Sequence, residues 1–430
     1  MDATLIAFAV LFALLIFGVP IGFAMGLVGT VAFASVIGWQ GALNQVGNLV
    51  ADTALNYNLS VLPLFVLMGS LFARAGMADE LYAAAYGFLG ARRGGLAMAT
   101  ILACGAFSAI SGSALACAAT MTKVSVPVMR KYGYAPGFAA ATVAVGSTLD
   151  ILIPPSIAMV VYALISEVSL GKIMVAGILP GLHAVFLLIV TIALITNVRP
   201  ELGPAGEHTP WIGRLRLLRD VWPIVALFSV VLGGIYLGVF SANEAAGVGA
   251  FGSMALAIQR RSLSLVGFIE ALVDAARVSS MLFVVLFGSL ILANFVTVSG
   301  TTAAFSAWIN SFHLGQFQLI MLLLLVYIVL GFILEGTAVM LLTVPILLPV
   351  VVAAGIDPIW FGIFVIIVSG AGLIHPPLGL LLFVVKSLLP DVQMKQVAWG
   401  VVPYLGTELV LVAILIAFPG IVMYLPGLMK

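Results

Sequence analysis

The fold of this chain is decided by residues 94–129, whose sequence is GGLAMATILACGAFSAISGSALACAATMTKVSVPVM. This apolar run is closed at both ends by cationic residues and carries Ser111-Gly112-Ser113-Ala114 near its middle. If it breaks there, each arm has roughly 16 residues and a length of about 24 Å, which is less than the hydrocarbon core of a bilayer, about 30 Å thick. The sequence therefore predicts a re-entrant hairpin with an unwound tip near mid-membrane. Two closely packed small-residue helices are the alternative.

Composition places the whole chain in a membrane. Of its 430 residues, 63% are hydrophobic and only 8% are charged, too few to cover the surface of a soluble fold of this size. The formal net charge of +1 provides no basic face for nucleic acid. Cys104 and Cys117 have no histidine or acid at metal-ligand spacing, so we expect them to be small buried side chains. The predicted fold class is an all-α polytopic membrane protein.

Residues 1–198 form the first of two predicted units. It contains scaffold helices, an interfacial helix at residues 73–91, the hairpin and an apolar segment at residues 138–165. Pro154-Pro155 removes two backbone donors from the last segment and predicts a helix that is broken in the middle. A polar, arginine-containing connection at residues 199–220 then divides the chain.

The second half, residues 221–430, repeats these features in the same order. Glu335-Gly336-Thr337-Ala338 corresponds to the first tip, within a predicted hairpin at residues 317–354, and Pro376-Pro377 corresponds to the first proline pair, within a broken helix at residues 359–386. No lysine or arginine flanks the second hairpin closely, whereas basic residues bracket the first. Because lysine and arginine favour cytoplasmic loops, the repeat is predicted to be inverted, with about ten spanning helices, two hairpins and both termini outside the cytoplasm.

Unwound tips that face proline-broken helices supply carbonyl and hydroxyl oxygens without a formal charge, and the half-helix ends add their dipoles. This chemistry suits sodium ions and predicts two sites. For any single hydroxyl, a bond back to its own helix remains the simpler interpretation. The predicted first site consists of Ser111, Gly112, Ser113, Ala114, Gly146 and Thr148. The predicted second site consists of Glu335, Gly336, Thr337, Ser369, Gly370 and Gly372.

At these residues the chain resembles the large membrane subunit of tripartite ATP-independent periplasmic (TRAP) transporters. The resemblance covers essentially the whole chain. It depends on the Ser111-Gly112-Ser113-Ala114 tip and on four further motifs, which are Leu62-Pro63-Leu64-Phe65-Val66-Leu67-Met68-Gly69, Ile153-Pro154-Pro155-Ser156, Ser241-Ala242-Asn243-Glu244-Ala245-Ala246 and Pro376-Pro377-Leu378-Gly379. Asp150 and His375 depart from the family pattern, which has a small residue and a threonine there.

The resemblance implies a sodium-driven elevator transporter of organic acids in a bacterial inner membrane, where the termini placed outside the cytoplasm by the charge pattern would be periplasmic. It implies two partners, a small four-helix membrane subunit and a soluble periplasmic substrate-binding protein, and no cofactor besides coupling sodium ions. The substrate-site candidates are Ser113, Asp150, Pro154, Pro155, Thr337, His375, Pro376 and Pro377.

Three intramembrane or near-membrane acids receive different interpretations. Asp150 and Glu335 adjoin the helix breaks, where charge is costly and often functional. Glu244 follows Ser241 at the spacing of a capping box, which indicates a structural helix start.

Three alternative functions can be compared with this one. One is a stand-alone ion-coupled anion carrier that needs no binding protein. An intramembrane hydrolase is disfavoured because the sequence has no His-Glu-x-x-His motif, and ATP hydrolysis because it has no Walker-type loop. A purely structural scaffold would not need two breaks at mid-membrane depth.

Overall fold

The computed structural model describes residues 2–332, 334–376 and 379–429, and within these ranges the chain is helical without strands. Pro377, one of the substrate-site candidates, lies outside them. The helices of the first half are α1 (Asp2–Ile16), α2 (Ile21–Ile37), α3 (Trp39–Ala54), α4 (Val61–Arg74), α5 (Met77–Leu89), α6 (Gly95–Ser111), α7 (Ala114–Lys131), α8 (Pro136–Ser147), α9 (Ile157–Ser166), α10 (Leu170–Ala176) and α11 (Ile178–Val198).

The second half begins with a helix that carries three of the four arginines of the connection. Its helices are α12 (Trp211–Tyr236), α13 (Ala242–Gln259), α14 (Leu265–Val298), α15 (Thr301–Ser311), α16 (Gln316–Gly331), α17 (Gly336–Ala353), α18 (Pro358–Ala371), α19 (Leu380–Leu388), α20 (Met394–Ala417) and α21 (Gly420–Leu428). Six helical stretches in the described chain are long and apolar enough to cross a bilayer, and several shorter apolar helices accompany them. The protein is therefore an all-α, multi-pass membrane protein, as composition predicted.

The first hairpin breaks where the sequence predicted. Gly112 adopts a left-handed conformation with φ of +58°, which ends α6. One residue later, the Ser113 hydroxyl accepts a hydrogen bond of 3.3 Å from the Ala116 amide and caps α7. The tip is therefore only two residues long, between arms of 17 and 18 residues.

The second hairpin is built in the same way. The Glu335 carboxylate accepts a hydrogen bond of 3.2 Å from the Ala338 amide and caps α17, as Ser113 caps α7. Both second arms have 18 residues and carry an internal proline at the same position, Pro127 in α7 and Pro349 in α17. The correspondence between the two hairpins therefore holds in the structure as well as in the sequence.

Each hairpin is followed by a broken helix, as predicted. The first consists of α8, a 3₁₀ turn at Thr148–Ile151 and α9, and the second consists of α18, a 3₁₀ turn at Gly372–Ile374 and α19. In the sequence, a proline pair follows each of these turns, and a proline has no amide hydrogen to donate to a helical hydrogen bond.

The two broken helices run in opposite directions. The Tyr162 hydroxyl of α9 donates a hydrogen bond of 2.5 Å to the Pro358 carbonyl at the start of α18. At the other end, Arg130 of α7 lies 3.0 Å from the Asp391 carboxylate just beyond α19. In between, α8 packs beside α19 and α9 packs beside α18. The base of the first hairpin and the base of the second therefore lie at opposite ends of the helix pair.

Two segments differ in extent from their prediction. The interfacial helix is shorter than residues 73–91 and corresponds to α5. The connection at residues 199–220 is also shorter, since α12 begins at Trp211 and contains three of its four arginines.

The remaining connection is attached to the base of the first hairpin. The Gly94 amide donates to the Gly203 carbonyl at 2.8 Å, and the Gly206 amide donates to the Gly90 carbonyl at 2.8 Å. These bonds satisfy backbone groups of a loop that has little secondary structure of its own. The loop between the two halves is therefore bound to the segment that connects α5 and α6.

Two other sequence predictions are confirmed locally. Cys104 and Cys117 are fully buried and form no disulfide with each other, as expected for small core side chains. Ser241 and Glu244 form a complete capping box at the start of α13, so Glu244 is a structural residue.

Candidate functional site

The two hairpin tips meet at one cavity of about 900 Å³. Its polar lining comes from both tips and from the first broken helix. Apolar side chains form the rest of its wall, and those of α1 and α14 make up the side opposite the hairpins and broken helices. The polar lining consists of Gly112, Ser113, Asp150, Ser156, Glu335 and Thr337. Such a cavity, largely apolar with a few convergent polar groups, is the usual form of a small-molecule site.

Asp150 is held against the first tip. It is 3% exposed, and its carboxyl group accepts a hydrogen bond of 3.1 Å from the Ser111 hydroxyl. The backbone amides of Ser113 and Ala114, at the start of α7, also face this carboxyl group. An acid at the amino end of a helix interacts favourably with the helix dipole. Asp150 therefore fastens the broken helix to the tip of the first hairpin.

The structure brings together only part of the predicted first sodium site. Ser111, Gly112, Ser113 and Ala114 form the tip, but a side chain at Gly146 would lie 2.8 Å from the Cys104 sulfur, so this glycine is a packing residue. Thr148 hydrogen-bonds back to the Val145 carbonyl at 2.7 Å and faces a different cavity. Gly146 and Thr148 therefore do not join the tip, and the local bond expected for a single hydroxyl explains Thr148 better.

The predicted second sodium site is more compact. Glu335, Gly336, Thr337, Ser369 and Gly370 line one cavity of about 20 Å³, enough for a single water-sized group. Here α17 lies so close to α18 that a side chain at Gly336 would come within 2.7 Å of the Ser369 carbonyl oxygen. The Ser369 side chain is 3% exposed, and its hydroxyl has no hydrogen-bond partner in the described chain. An unsatisfied buried hydroxyl beside a small cavity marks a place for a polar ligand.

Gly372, the sixth residue of the second predicted site, has another role. A side chain at Gly372 would lie 2.8 Å from the Gly331 carbonyl oxygen, at the point where α16 meets the second 3₁₀ turn. This glycine permits close backbone packing and stands apart from the other five residues. The second set of ligands is thus reduced to the residues around Ser369.

The substrate-site candidates divide between the main cavity and its surroundings. Ser113, Asp150 and Thr337 line the main cavity. Pro154 and Pro155 are buried, and they shape the chain behind the cavity wall and do not contribute to it. His375 packs edge-on against the Phe332 ring at 4.5 Å and lines a separate cavity of about 170 Å³. Pro376 is half-buried and contributes to none of the cavities described.

The first tip also makes a close contact with the scaffold. A side chain at Gly69 of α4 would lie 2.6 Å from the carbonyl carbon and 2.9 Å from the Cα of Ser111. Both distances are shorter than an ordinary carbon–carbon contact of about 3.5–4.0 Å. Only glycine fits at this position of α4, so the position of the tip depends on Gly69.

Comparison with known proteins identifies the family. A family model described as "Tripartite ATP-independent periplasmic transporter, DctM component" matches residues 8–421. The chain belongs to this TRAP transporter family. Relatives of this component are named large permease proteins, and a membrane permease agrees with the six helical stretches that are long and apolar enough to cross a bilayer.

Individual relatives extend the match over the length of the TRAP permease. The chain is 33% identical over 379 residues to the C4-dicarboxylate TRAP transporter large permease protein DctM of Pseudomonas aeruginosa, covering 87% of this chain and 88% of the relative. It is 29% identical over 417 residues to the sialic acid TRAP transporter large permease protein SiaM of Vibrio cholerae, covering 96% of each. The crystal structure of the YdaH transporter of Alcanivorax borkumensis covers 89% of both chains with a TM-score of 0.61, and at 16% identity it supports the fold alone.

Sequence reasoning missed one intramembrane acid of this permease, Glu408. It lies in the middle of α20, and its Oε2 atom is buried without a hydrogen-bond partner in the described chain. The signal was available, since Glu408 is an acid inside a long apolar helix, but no tip, glycine pair or proline pair accompanies it. Glu408 lines the same small cavity as Thr148, which places the two residues together behind the main site.

Proposed function

We propose that this TRAP permease takes up small organic acids by sodium-coupled symport, with the substrate delivered by a soluble periplasmic binding protein. The family description names a tripartite periplasmic transporter, which supports two further components beside this permease. In this proposal they are the binding protein and a small four-helix membrane subunit. The names of the two relatives described above include C4-dicarboxylate and sialic acid, and both of these substrates are carboxylates. The proposed substrate class is therefore small carboxylates of this kind.

The main support for sodium coupling is the charge of the residues that line the main cavity. Two acids line it, Asp150 and Glu335, and no lysine, arginine or histidine is found among its described lining residues. An anionic substrate that entered alone would add negative charge to a site that already contains two carboxyl groups. Cations bound at the tips would offset this charge, so binding of the substrate would depend on them.

The second tip offers a suitable place for one sodium ion. The free hydroxyl of Ser369 lies there with Glu335 and Thr337 around a cavity that fits a single small group. Oxygen ligands from unwound backbone and side chains are the ones that coupling ions use in transporters with broken helices. Each sodium ion that moves down the membrane potential contributes about 2.3 kcal/mol per 100 mV to uptake.

An elevator movement fits the composition of the cavity wall. The hairpins and the first broken helix supply the polar lining, whereas α1 and α14 present apolar side chains such as Phe12, Val278 and Met281. Because apolar contacts are not directional, a body that carries the site can slide along this part of the wall. The movement also has to break the 2.6 Å hydrogen bond from the Ser289 hydroxyl of α14 to the Leu341 carbonyl of α17. In this proposal the hairpins and broken helices move together and the outer helices remain fixed in the bacterial inner membrane, with both termini periplasmic.

The test is uptake of labelled organic acids into liposomes that contain the permease and its small membrane subunit. We expect uptake with the binding protein and a sodium gradient, and loss of uptake when either is omitted. Uptake that persists in potassium or choline, with the binding protein present, would contradict sodium coupling. Uptake by the permease alone would instead support the second candidate, a stand-alone ion-coupled carrier.

A further inference from the structure

A second polar pocket lies behind the main cavity, between α20, α11, α18 and the first 3₁₀ turn. It has a volume of about 30 Å³, enough for a water-sized group but far too small for an organic acid. Glu408, Thr148 and Thr407 supply its polar side chains, and aliphatic side chains form the rest of its wall. We call these three residues the Glu408 pocket.

Both threonine hydroxyls lie within hydrogen-bond distance of acceptors outside this pocket. The Thr148 hydroxyl donates to the Val145 carbonyl at 2.7 Å. The Thr407 oxygen lies 3.3 Å from the Pro403 carbonyl and 2.6 Å from the Thr191 hydroxyl, and either threonine of that pair can be the donor. Because a hydroxyl oxygen has two acceptor lone pairs, the Thr148 oxygen keeps both and the Thr407 oxygen keeps at least one for a cation.

The charge of Glu408 has no partner nearby. No lysine or arginine lines the Glu408 pocket, nor the adjoining cavity of about 170 Å³ that Glu408 also borders, in the part of the chain that the structure describes. His375 is the other titratable residue of that adjoining cavity. A carboxylate at this depth is costly unless a positive charge offsets it. Since it adjoins both cavities, Glu408 is accessible to a small ion from the side of the second broken helix.

We propose that Glu408, Thr148 and Thr407 bind a sodium ion that is distinct from those at the two tips. This inference rests on the proposed sodium-coupled transport and adds a site to it. The three residues provide a carboxylate and two hydroxyl oxygens, which are hard ligands of the kind that sodium and other hard cations prefer. The remaining positions of the coordination shell are left for water and backbone carbonyls.

The first 3₁₀ turn connects this ion to the main cavity. Thr148 faces the Glu408 pocket, whereas Asp150, two residues later, faces the first tip and accepts the Ser111 hydrogen bond. An ion bound to Thr148 therefore restrains the turn that presents Asp150 to the tip. Occupancy of the Glu408 pocket stabilises the tip in its substrate-binding form, and this coupling is reciprocal.

Equilibrium binding of radioactive sodium to the purified permease, without substrate or binding protein, tests the site. We expect Glu408→Gln, which keeps the shape of the side chain, to bind one sodium ion fewer per chain than the wild type. Thr148→Val keeps the carboxylate and removes a hydroxyl ligand, and we expect it to weaken the same ion by about tenfold, or roughly 1.4 kcal/mol. Glu244→Gln, in the capping box of α13, is the matched control and should bind like the wild type.

The outcomes separate this inference from the proposed function. If the wild type binds sodium and both variants bind the same number of ions with the same affinity, the Glu408 pocket is not a sodium site, although sodium coupling at the tips stands. If Glu408→Gln alters only the pH dependence of uptake, the residue carries a proton and the sodium assignment is wrong. If the wild type binds no sodium at all, the proposed function fails as well. Should Glu408→Gln not fold, Thr148→Val alone decides the question.

Discussion

Replacement of Gly69 by alanine is the sharpest test of how the first tip is positioned. The new methyl group would lie 2.6 Å from the Ser111 carbonyl carbon, whereas carbon atoms in ordinary contact are about 3.5–4.0 Å apart. The tip or α4 must therefore move by about 1 Å, and overpacking of this kind typically destabilises a protein by about 1–3 kcal/mol. The same shift moves Ser111 away from the Asp150 carboxyl group, to which it donates at 3.1 Å.

A matched control separates this clash from the general effect of replacing glycine. Gly247 in α13 has open space where its side chain would be, so Gly247→Ala introduces no clash. Both substitutions gain up to about 1 kcal/mol from the higher helix propensity of alanine. Because this gain is common to both variants, the lower melting temperature expected for Gly69→Ala than for Gly247→Ala reports the clash.

Uptake into liposomes and thermal unfolding in detergent, measured on both variants, provide the assay. We expect sodium-driven uptake to fall about tenfold or more in Gly69→Ala, since a loss of 1.4 kcal/mol in ion or substrate binding is a factor of about ten. Gly247→Ala should transport like the wild type. If Gly69→Ala matches both of them in rate and melting temperature, the tip does not depend on the close approach of α4, and the reasoning is wrong.

Two further predictions concern the tips and their orientation. Ser113→Leu or Thr337→Leu should abolish uptake while the protein still inserts and unfolds cooperatively, because each adds bulk to the polar lining of the main cavity; retained uptake in both variants would remove the assignment of the binding site. In a cysteine-free variant, a single cysteine at Tyr132 should react with an impermeant reagent only from the cytoplasm, and one at Gly355 only from outside, whereas labelling from one common side would mean parallel repeats.

The sequence by itself determined the class of protein and the positions of its four helix breaks. These features are local. Gly112 and Ser113 end one helix and cap the next within two residues, and paired prolines prevent helical hydrogen bonds wherever they occur. The repeated order of tips and proline pairs also identified the two halves, because each half carries its own copy of the same local signals.

Tertiary structure alone decided which residues share a cavity. Thr148 and Asp150 stand two positions apart on one 3₁₀ turn, yet they face different pockets because side chains on such a turn point in different directions. For the same reason the predicted first sodium site was assembled from residues that the fold separates. Gly146 lies four residues before Asp150 in sequence but serves to pack α8 against Cys104.

Glu408 is a pocket residue that the sequence did not reveal. Its sequence context is an ordinary apolar helix, and its neighbours Thr148 and Ala184 come from the first half of the chain. No local pattern encodes a contact between segments so far apart, because it depends on how α20 packs against α11 and the first broken helix. A helix break is encoded by the residues at the break itself. A binding pocket depends on how helices that are distant in sequence pack together, and no local pattern in any one of them specifies that packing.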